Sequence, residues 1–283
     1  MKTMEREDLA QGVWTFRSRF ADMLSTLIGL NGKRAALIDP PMFADEAAEI
    51  RGFAVKQGLS VDFLILTHAH GDHIYGAAHF PGALIIAHRG FWDFWCRIEA
   101  EDREFFARFL PDYEIPEVRR PHFLLENGSE IWLGRRLIFK HVPGHSPDGL
   151  MVELPREGIW IVGDVVIPTP LFSSGSLLEL KRTLRELLEE FSGGVLVPGH
   201  GRALRGDAAR GAIAANLGYL ERLDSAVREA IAKGTGLGEL LKVPPERLGL
   251  SQGNPDPLDR WIHRENLRRA YEELSGSGAF GEN

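Results

Sequence analysis

Phe63-Leu64-Ile65-Leu66-Thr67-His68-Ala69-His70-Gly71-Asp72-His73 is the stretch that decides the fold. Its first four residues are an unbroken apolar run, the pattern of a strand covered on both faces. Three histidines and an aspartate then crowd into the loop that follows. His68 and His70 are two apart, so an extended backbone points both side chains the same way. Asp72 and His73 come directly after, where a turn aims them at a neighbouring point. Imidazole nitrogen and carboxylate oxygen are good ligands for zinc and other borderline divalent ions. Without a metal, every ring nitrogen in such a cluster, and Asp72 as well, would need another buried partner. The cluster therefore reads as a metal site.

Three later segments have the same texture. Pro143-Gly144-His145-Ser146-Pro147 follows an apolar strand ending at Val142. Gly163-Asp164 follows the run 159–162, and Pro198-Gly199-His200-Gly201 follows 195–197. Each sets a metal-binding residue type beside glycine, which permits tight turns and close backbone approach. His68, His70, Asp72, His73, His145, Asp164 and His200 together are too many donors for one tetrahedral zinc. They suit two metals that share a carboxylate and a hydroxide.

The rest of the chain supplies the scaffold. Strands are predicted at 13–20, 24–30 and 34–38, with an Asn31-Gly32 hairpin turn and a stop at Asp39-Pro40-Pro41. The stripe Phe43, Ala47, Ile50, Ala54 predicts a helix over 43–57, closed by Gly58. Further strands are expected at 61–66, 83–87, 130–133, 136–141, 150–154, 159–162 and 195–197. Helices are expected at 177–191, 207–233 and 257–274, with a frayed Gly- and Ser-rich tail over 275–283. Residues 89–121 are rich in aromatics and read either as core-facing helices or as a wall beside an active site. This order describes an α+β fold of two sheets packed face to face with helices outside.

Composition narrows the function. The 283 residues carry a formal charge of −7, which gives no general attraction to nucleic acid or anionic membranes. A single cysteine, Cys96, excludes an intrachain disulfide framework and reads as a small buried residue. No apolar stretch is long enough for a membrane span, and the N-terminal residues do not form a secretory signal, so the cytoplasm is the expected location. Leu220, Leu223, Val227 and Ile231 form a helical stripe that packs either on the parent domain or on a second copy in a homo-oligomer.

His68-Ala69-His70-Gly71-Asp72-His73 resembles the HxHxDH motif of the metallo-β-lactamase fold superfamily, and His145, Asp164 and His200 match its later ligand motifs in order and spacing. The resemblance runs from about Gly12 to Gly201. It implies a four-layer αββα sandwich over residues 1–205 and a C-terminal helical extension over 206–283 packing on it. It also implies two zinc ions, with iron or manganese as alternatives. His68, His70 and His145 would hold one metal, Asp72, His73 and His200 the other, and Asp164 would bridge them. His70 stands where the diiron flavoprotein branch carries glutamate. Asp39 matches the acid that supports the site from behind, and Ser146 would add a hydroxyl beside His145. Cys96 lies outside every motif, which excludes a cysteine-ligand β-lactamase.

The generic or glyoxalase II-like branch is the nearest in pattern, although no basic glutathione pocket is recognisable among Arg89, Arg97, Arg119, Arg120 and Lys140. The large inserted domain of the β-CASP nucleases and the protruding arm of the transfer-RNA-maturing ribonucleases are absent. So is the tyrosine that quorum lactonases carry after the bridging aspartate. Trp261-Ile262-His263-Arg264-Glu265-Asn266-Leu267 resembles a recurring tail of generic members, with His263 read as structural. The implied activity is hydrolysis by a metal-bridging hydroxide, with Asp72 as the catalytic proton carrier, on a thioester, lactone or related ester or amide of a small molecule. Phe91, Trp92, Trp95, Thr169 and Phe172 are the expected substrate contacts. The rival readings are a phosphodiesterase or ribonuclease, a mono-iron sulfur dioxygenase, and a non-catalytic small-molecule-binding protein.

Overall fold

The structure is a computed structural model, describing residues 3–250 and 257–276. The first half begins with an antiparallel meander, β1 (Glu5–Ala10), β2 (Val13–Arg17), β3 (Leu24–Gly29) and β4 (Arg34–Ile38). The chain then changes to parallel strands connected through helices. α1 (Ala44–Lys56) leads to β5 (Ser60–Ile65), the single turn α2 (Gly71–Ile74) leads to β6 (Leu84–His88), and α3 (Phe91–Phe109) leads to β7 (Phe123–Leu125). These strands form one sheet in sequence order, parallel from β4 onward.

The second sheet comprises β8 (Glu130–Trp132), β9 (Arg136–His141), β10 (Leu150–Leu154), β11 (Ile159–Gly163), β12 (Val195–Pro198) and β13 (Leu204–Arg205). Its order is β13-β12-β11-β10-β9-β8. β11 and β12 are parallel, and the crossover between them contains α4 (Leu177–Glu190), whose first turn is capped by Ser176 accepting from the Glu179 N–H at 3.2 Å. The helices α5 (Gly206–Ala232), α6 (Leu237–Leu240) and α7 (Pro257–Ser275) follow.

Alternation along the strands sorts side chains into layers. In β4, Ala36 and Ile38 face the second sheet while Ala35 and Leu37 face α1 and α3. In β11, Ile159 and Ile161 face the first sheet while Trp160 and Val162 face α4 and α5. Every one of these residues is buried, so both sheets are covered on both faces, and the four-layer αββα sandwich with its helical extension is the fold of the chain. Leu220, Leu223 and Val227 of α5 lie in the same cluster as Leu180 and Leu184 of α4 and Leu267 and Ala270 of α7. The α5 stripe is thus covered from within the chain.

Several expectations need correction. β1 was not expected, because Glu5-Arg6-Glu7-Asp8 carries no apolar pattern; it is an exposed edge strand paired only with β2. The strand expected over 13–20 ends at Arg17, because Ala21 and Asp22 adopt positive φ of 47° and 55° and turn the chain. Cys96 is exposed rather than buried. The buried face of α3 runs through Phe91, Phe94, Trp95 and Ile98, and position 96 falls on its other side. The frayed tail predicted over 275–283 lies outside the described residues from 277 onward. Among the described residues, no helix is long and apolar enough to cross a membrane.

Candidate metal centre

The seven donor residues meet at one edge of the sandwich, where strand ends from both sheets open into loops. His68, His70, Asp72 and His73 come from the loop after β5 and from α2 in the first sheet. His145 lies between β9 and β10, Asp164 directly follows β11, and His200 follows β12 in the second. Three overlapping groups of ligand atoms result: His68, His70 and His145; His68, His73 and Asp164; and Asp72, His73 and His200, each within 4.8 Å of one another. Asp164 lies between the sets. Its Oδ2 is 3.6 Å from His145 Nε2 and 3.5 Å from His200 Nε2, and its Oδ1 is 3.3 Å from His73 Nε2. Asp72 Oδ2 is 3.2 Å from His200 Nε2 and 3.6 Å from His73 Nε2.

The outer nitrogens of the rings are fixed by hydrogen bonds, and this sets which nitrogen faces inward. His73 Nδ1 donates to Asp39 Oδ2 at 2.9 Å, His145 Nδ1 to the Leu171 carbonyl at 2.7 Å, and His200 Nδ1 to the Ala21 carbonyl at 2.8 Å. Thr67 Oγ1 donates to Asp39 Oδ2 at 2.7 Å, which leaves it to accept from His68 Nδ1 at 2.9 Å. These four rings therefore turn Nε2 to the centre. His70 presents Nδ1 instead, 2.9 Å from His145 Nε2.

The loops that hold these partners are strained. Among the described residues, the non-glycine positions with positive φ are Ala21, Asp22 and Asp39. Ala21 receives the His200 bond, the Asp22 carbonyl accepts from the Gly201 N–H, and Asp39 anchors His73 and Thr67. Buried Glu46 fixes the first of these loops by accepting from Ser18 Oγ at 2.7 Å and the Arg19 N–H at 2.9 Å. Glycine is needed at position 199, where a Cβ would lie 1.7 Å from Asp164 Oδ1.

The donor set fits divalent metal. His68 Nε2, His73 Nε2 and Asp164 Oδ1 are buried and make no hydrogen bond, although together they would satisfy an ion. Burial and neighbouring imidazoles hold His68 well below its ordinary pKa, and burial and His145 bring His70 down to about 3. Burial also lowers His145, although Asp164 opposes it. These three rings are neutral at pH 7 and free to serve as ligands. His73 and His200 behave oppositely. Burial disfavours their charge, but Asp72, Asp164 and Asp39 around His73 raise it well above the ordinary value, and Asp164 and Asp72 raise His200 to about 10. Asp164 is held well below the carboxylate range, despite burial, by His200 and His73. The carboxylates thus call for positive charge at the centre, which protons supply in the side chains alone and a metal would supply in their place.

The other predicted site residues are more scattered. Asp39 touches His73 directly. Ser146 is buried beside His145 with its hydroxyl unbonded. Phe91, Trp95 and Phe172 are sealed in the hydrophobic core, and their rings offer no surface to a ligand. Trp92 is half-buried under the Arg120 guanidinium, 4.1 Å from its ring centre. Thr169 donates to Asp259 Oδ1 on α7 at 2.5 Å. Phe94 is likewise buried and packs behind His70, with its centroid 5.7 Å from that of the imidazole. Arg119 is spent on the carbonyls of Ala77, Phe80, Pro81 and Ala83.

Other supporting groups escaped the sequence reading. Asp102 on α3 accepts from the Gly71 N–H at 3.0 Å and from Tyr75 Oη at 2.5 Å, fixing the start of α2. Burial raises its carboxyl to about 6. Asp148, buried beyond Ser146, is pushed up to about 7 by the same cause. The Leu171 and Ala21 carbonyls are backbone groups and have no sequence signal at all.

Comparison with known proteins agrees with this geometry. A family model described as the metallo-beta-lactamase superfamily matches residues 23–200. The beta-lactamase-like protein 2 homolog of Drosophila melanogaster is 26% identical over 179 residues, covering 62% of this chain and 57% of the fly protein. A hydroxyacylglutathione hydrolase of Francisella tularensis subsp. holarctica is 26% identical over 151 residues, 52% of this chain and 47% of that protein. The chain therefore spans about half the length of these curated relatives. Among solved structures, the sec-alkylsulfatase Pisa1 from Pseudomonas sp. superposes with a TM-score of 0.73 at 18% identity, over 96% of this chain and 50% of that one. A metallo-beta-lactamase from Pontibacter korlensis superposes with a TM-score of 0.60 at 16% identity, over 77% and 99% of the two chains. At such identities the structural likeness is one of fold. The family match spans most of the chain and includes every donor of the centre, and the chain belongs to the metallo-β-lactamase superfamily.

Proposed function

We propose that the chain is a dinuclear zinc hydrolase acting on a thioester, lactone or related carboxylic ester or amide of a small molecule. The observation that carries this reading is the position of Asp164, one carboxylate within reach of His145 on one side and of His73 and His200 on the other. His68, His70 and His145 would hold one metal and Asp72, His73 and His200 the second, with Asp164 shared. Two zinc ions would supply a hydroxide nucleophile, because metal lowers the pKa of water from 15.7 to about 7, and a Lewis acid for the substrate carbonyl.

The chain's own residues do the rest. Asp39, Leu171 and Ala21 accept from the outer Nδ1–H of His73, His145 and His200 and so turn Nε2 of each ring inward. Asp72, with Oδ2 beside His200 and His73, orients the nucleophile and carries a proton toward the leaving group. His70 and His200 are the partly exposed donors, so substrate approaches from their side. Likeness to proteins named hydroxyacylglutathione hydrolase supports an acyl substrate. Catalysis belongs to residues 1–205 in this reading, and residues 206–283 buttress them.

The test is elemental analysis of protein purified without chelator, followed by a hydrolysis screen over thioesters, lactones, β-lactams and phosphodiesters with Asp164→Ala as control. About two zinc ions per chain and turnover of an acyl substrate, lost in the variant, are expected. One iron per chain would overturn the dizinc reading, and turnover confined to phosphodiesters would overturn the substrate class.

A further inference from the structure

The loop from Asp164 to Phe172 has few backbone partners of its own, and two asparagines on the C-terminal helices supply them. Asn216 on α5 brackets Ile167, accepting from its N–H at 3.3 Å and donating to its carbonyl at 3.0 Å. Asn266 on α7 brackets Leu171. It donates from Nδ2 to the Pro170 carbonyl at 2.6 Å and accepts through Oδ1 from the Phe172 N–H at 3.3 Å. The residue held between those bonds is the one whose carbonyl receives His145 Nδ1.

Asn266 itself can sit only one way round. Its second Nδ2 proton goes to Tyr219 Oη at 3.2 Å, Tyr219 donates to His263 Nδ1 at 3.0 Å, and His263 Nε2 donates to the Val243 carbonyl at 2.9 Å. Every donor in this buried chain has an acceptor, and reversing the amide would set Oδ1 against the Pro170 carbonyl. The same face of α7 grips the other side of His145. Glu273 accepts from Ser176 Oγ at 2.7 Å and from the Leu177 N–H at 2.8 Å, and the Ser176 N–H donates to the carbonyl of Gly144, immediately before His145. Residues 266 and 273 are seven apart, two turns of helix, so one stripe of α7 makes both contacts.

We infer that Asn266 is a positioning residue for the metal centre: by bracketing Leu171 it holds the carbonyl that sets the tautomer and ring angle of His145. This rests on the metal-centre reading above. Groups that orient a ligand imidazole carry about 10- to 100-fold in metal affinity. Loss of Asn266 should therefore weaken the metal held by His68, His70 and His145 and spare the one held by Asp72, His73 and His200.

The experiment compares the unaltered chain with Asn266→Ala, the near-isosteric Asn266→Asp, and Leu223→Ala. Leu223→Ala loosens the same helical layer without touching Asn266 or the loop. Each is loaded with zinc and titrated with a chelator of known affinity, and the Nδ1–H signals are followed in 15N-histidine-labelled protein. Both Asn266 variants should lose at least about tenfold in affinity for one metal, keep the other within about twofold, and show faster exchange of the His145 Nδ1–H. Leu223→Ala should lower the melting temperature and leave both affinities in place. Unchanged metal affinities in the Asn266 variants, or equal loss of both metals there and in Leu223→Ala, would overturn the inference. If Asn266→Ala does not fold, Asn266→Asp and its exchange rate decide. Failure of the unaltered chain to bind metal at all would instead sink the metal-centre reading on which the inference stands.

Discussion

Asp39 stands directly behind His73, its Oδ2 2.9 Å from Nδ1, and does so from a backbone with φ of 50°. The same carboxylate accepts from the Thr67 N–H at 2.8 Å and from Thr67 Oγ1, which passes the restraint on to His68. Asp39→Ala leaves these donors buried and unpaired, at about 1–3 kcal/mol each. The variant should melt several degrees lower and bind metal about 10- to 100-fold more weakly. Calorimetry and a chelator titration check both; native melting with native metal affinity would show that Asp39 does not anchor the centre.

The two ligand sets should respond differently to pH. His70 is held near 3 and His68 and His145 lie below their ordinary range, so all three are already neutral at pH 7 and give up no proton to a metal. His200, raised to about 10, and His73, raised well above its ordinary value by its carboxylate neighbours, must each release a proton when a metal takes its place. Affinity of the Asp72, His73 and His200 set should thus climb as pH rises from about 6 toward 10, by about tenfold per unit for each proton released. The His68, His70 and His145 set should stay nearly flat over that range. Proton release during metal titration in weak buffer measures the difference, and equal release for the first and second metal would contradict it.

Gly199 leaves no room for a side chain. A Cβ there would meet Asp164 Oδ1 at 1.7 Å, and the neighbouring backbone is tied in place by the Gly199 N–H bond to Gly163 and the Leu24 N–H bond to Gly199. Gly199→Ala should therefore displace the Asp164 carboxylate, cost about 1–3 kcal/mol of stability and reduce the bound metal below two per chain. Elemental analysis and thermal unfolding check this, and a fully loaded variant of native stability would refute it.

Gly52 is the opposite case. It lies inside α1 on its exposed face, and a Cβ there meets nothing within 4 Å. Gly52→Ala should raise stability by about 0.5–1 kcal/mol, because the unfolded chain loses freedom that the helix never used. Metal content should be untouched. A lower melting temperature would show that α1 needs a glycine for a reason not visible in its packing.

What could be read in the sequence was what side-chain chemistry and periodicity record. The donors from His68 to His200 stood out because histidine and aspartate beside glycine at strand ends serve few other purposes. The buried strands stood out because Phe63 to Leu66 and Ile159 to Val162 have no polar face. β1 did not, since an edge strand needs only one neighbour and tolerates charge on both sides. Cys96 was misplaced because one residue's tendency to be buried gave way to the phase of the whole α3 stripe. The aromatics of α3 and the 168–172 loop were read for substrate, yet Phe91, Trp95 and Phe172 serve packing; hydrophobicity does not distinguish a core from a cleft. In the α7 tail the histidine drew attention, while Asn266 carried the contact to the loop. That contact is made to backbone atoms, and no residue letter marks them.

The donors belong to both sheets, and the facing interiors of the two sheets meet through apolar side chains, Ile38, Ile65, Phe139 and Ile161 among them. Apolar layers resist separation without direction and give way gradually. Coordination bonds are directional and give way at once. In the loaded protein they would act as a clasp at one edge of the sandwich, so the route by which the layers part would begin at the opposite edge or wait for the ions to leave. How long the fold persists would then be set by the rate of ion loss as much as by the area of its core.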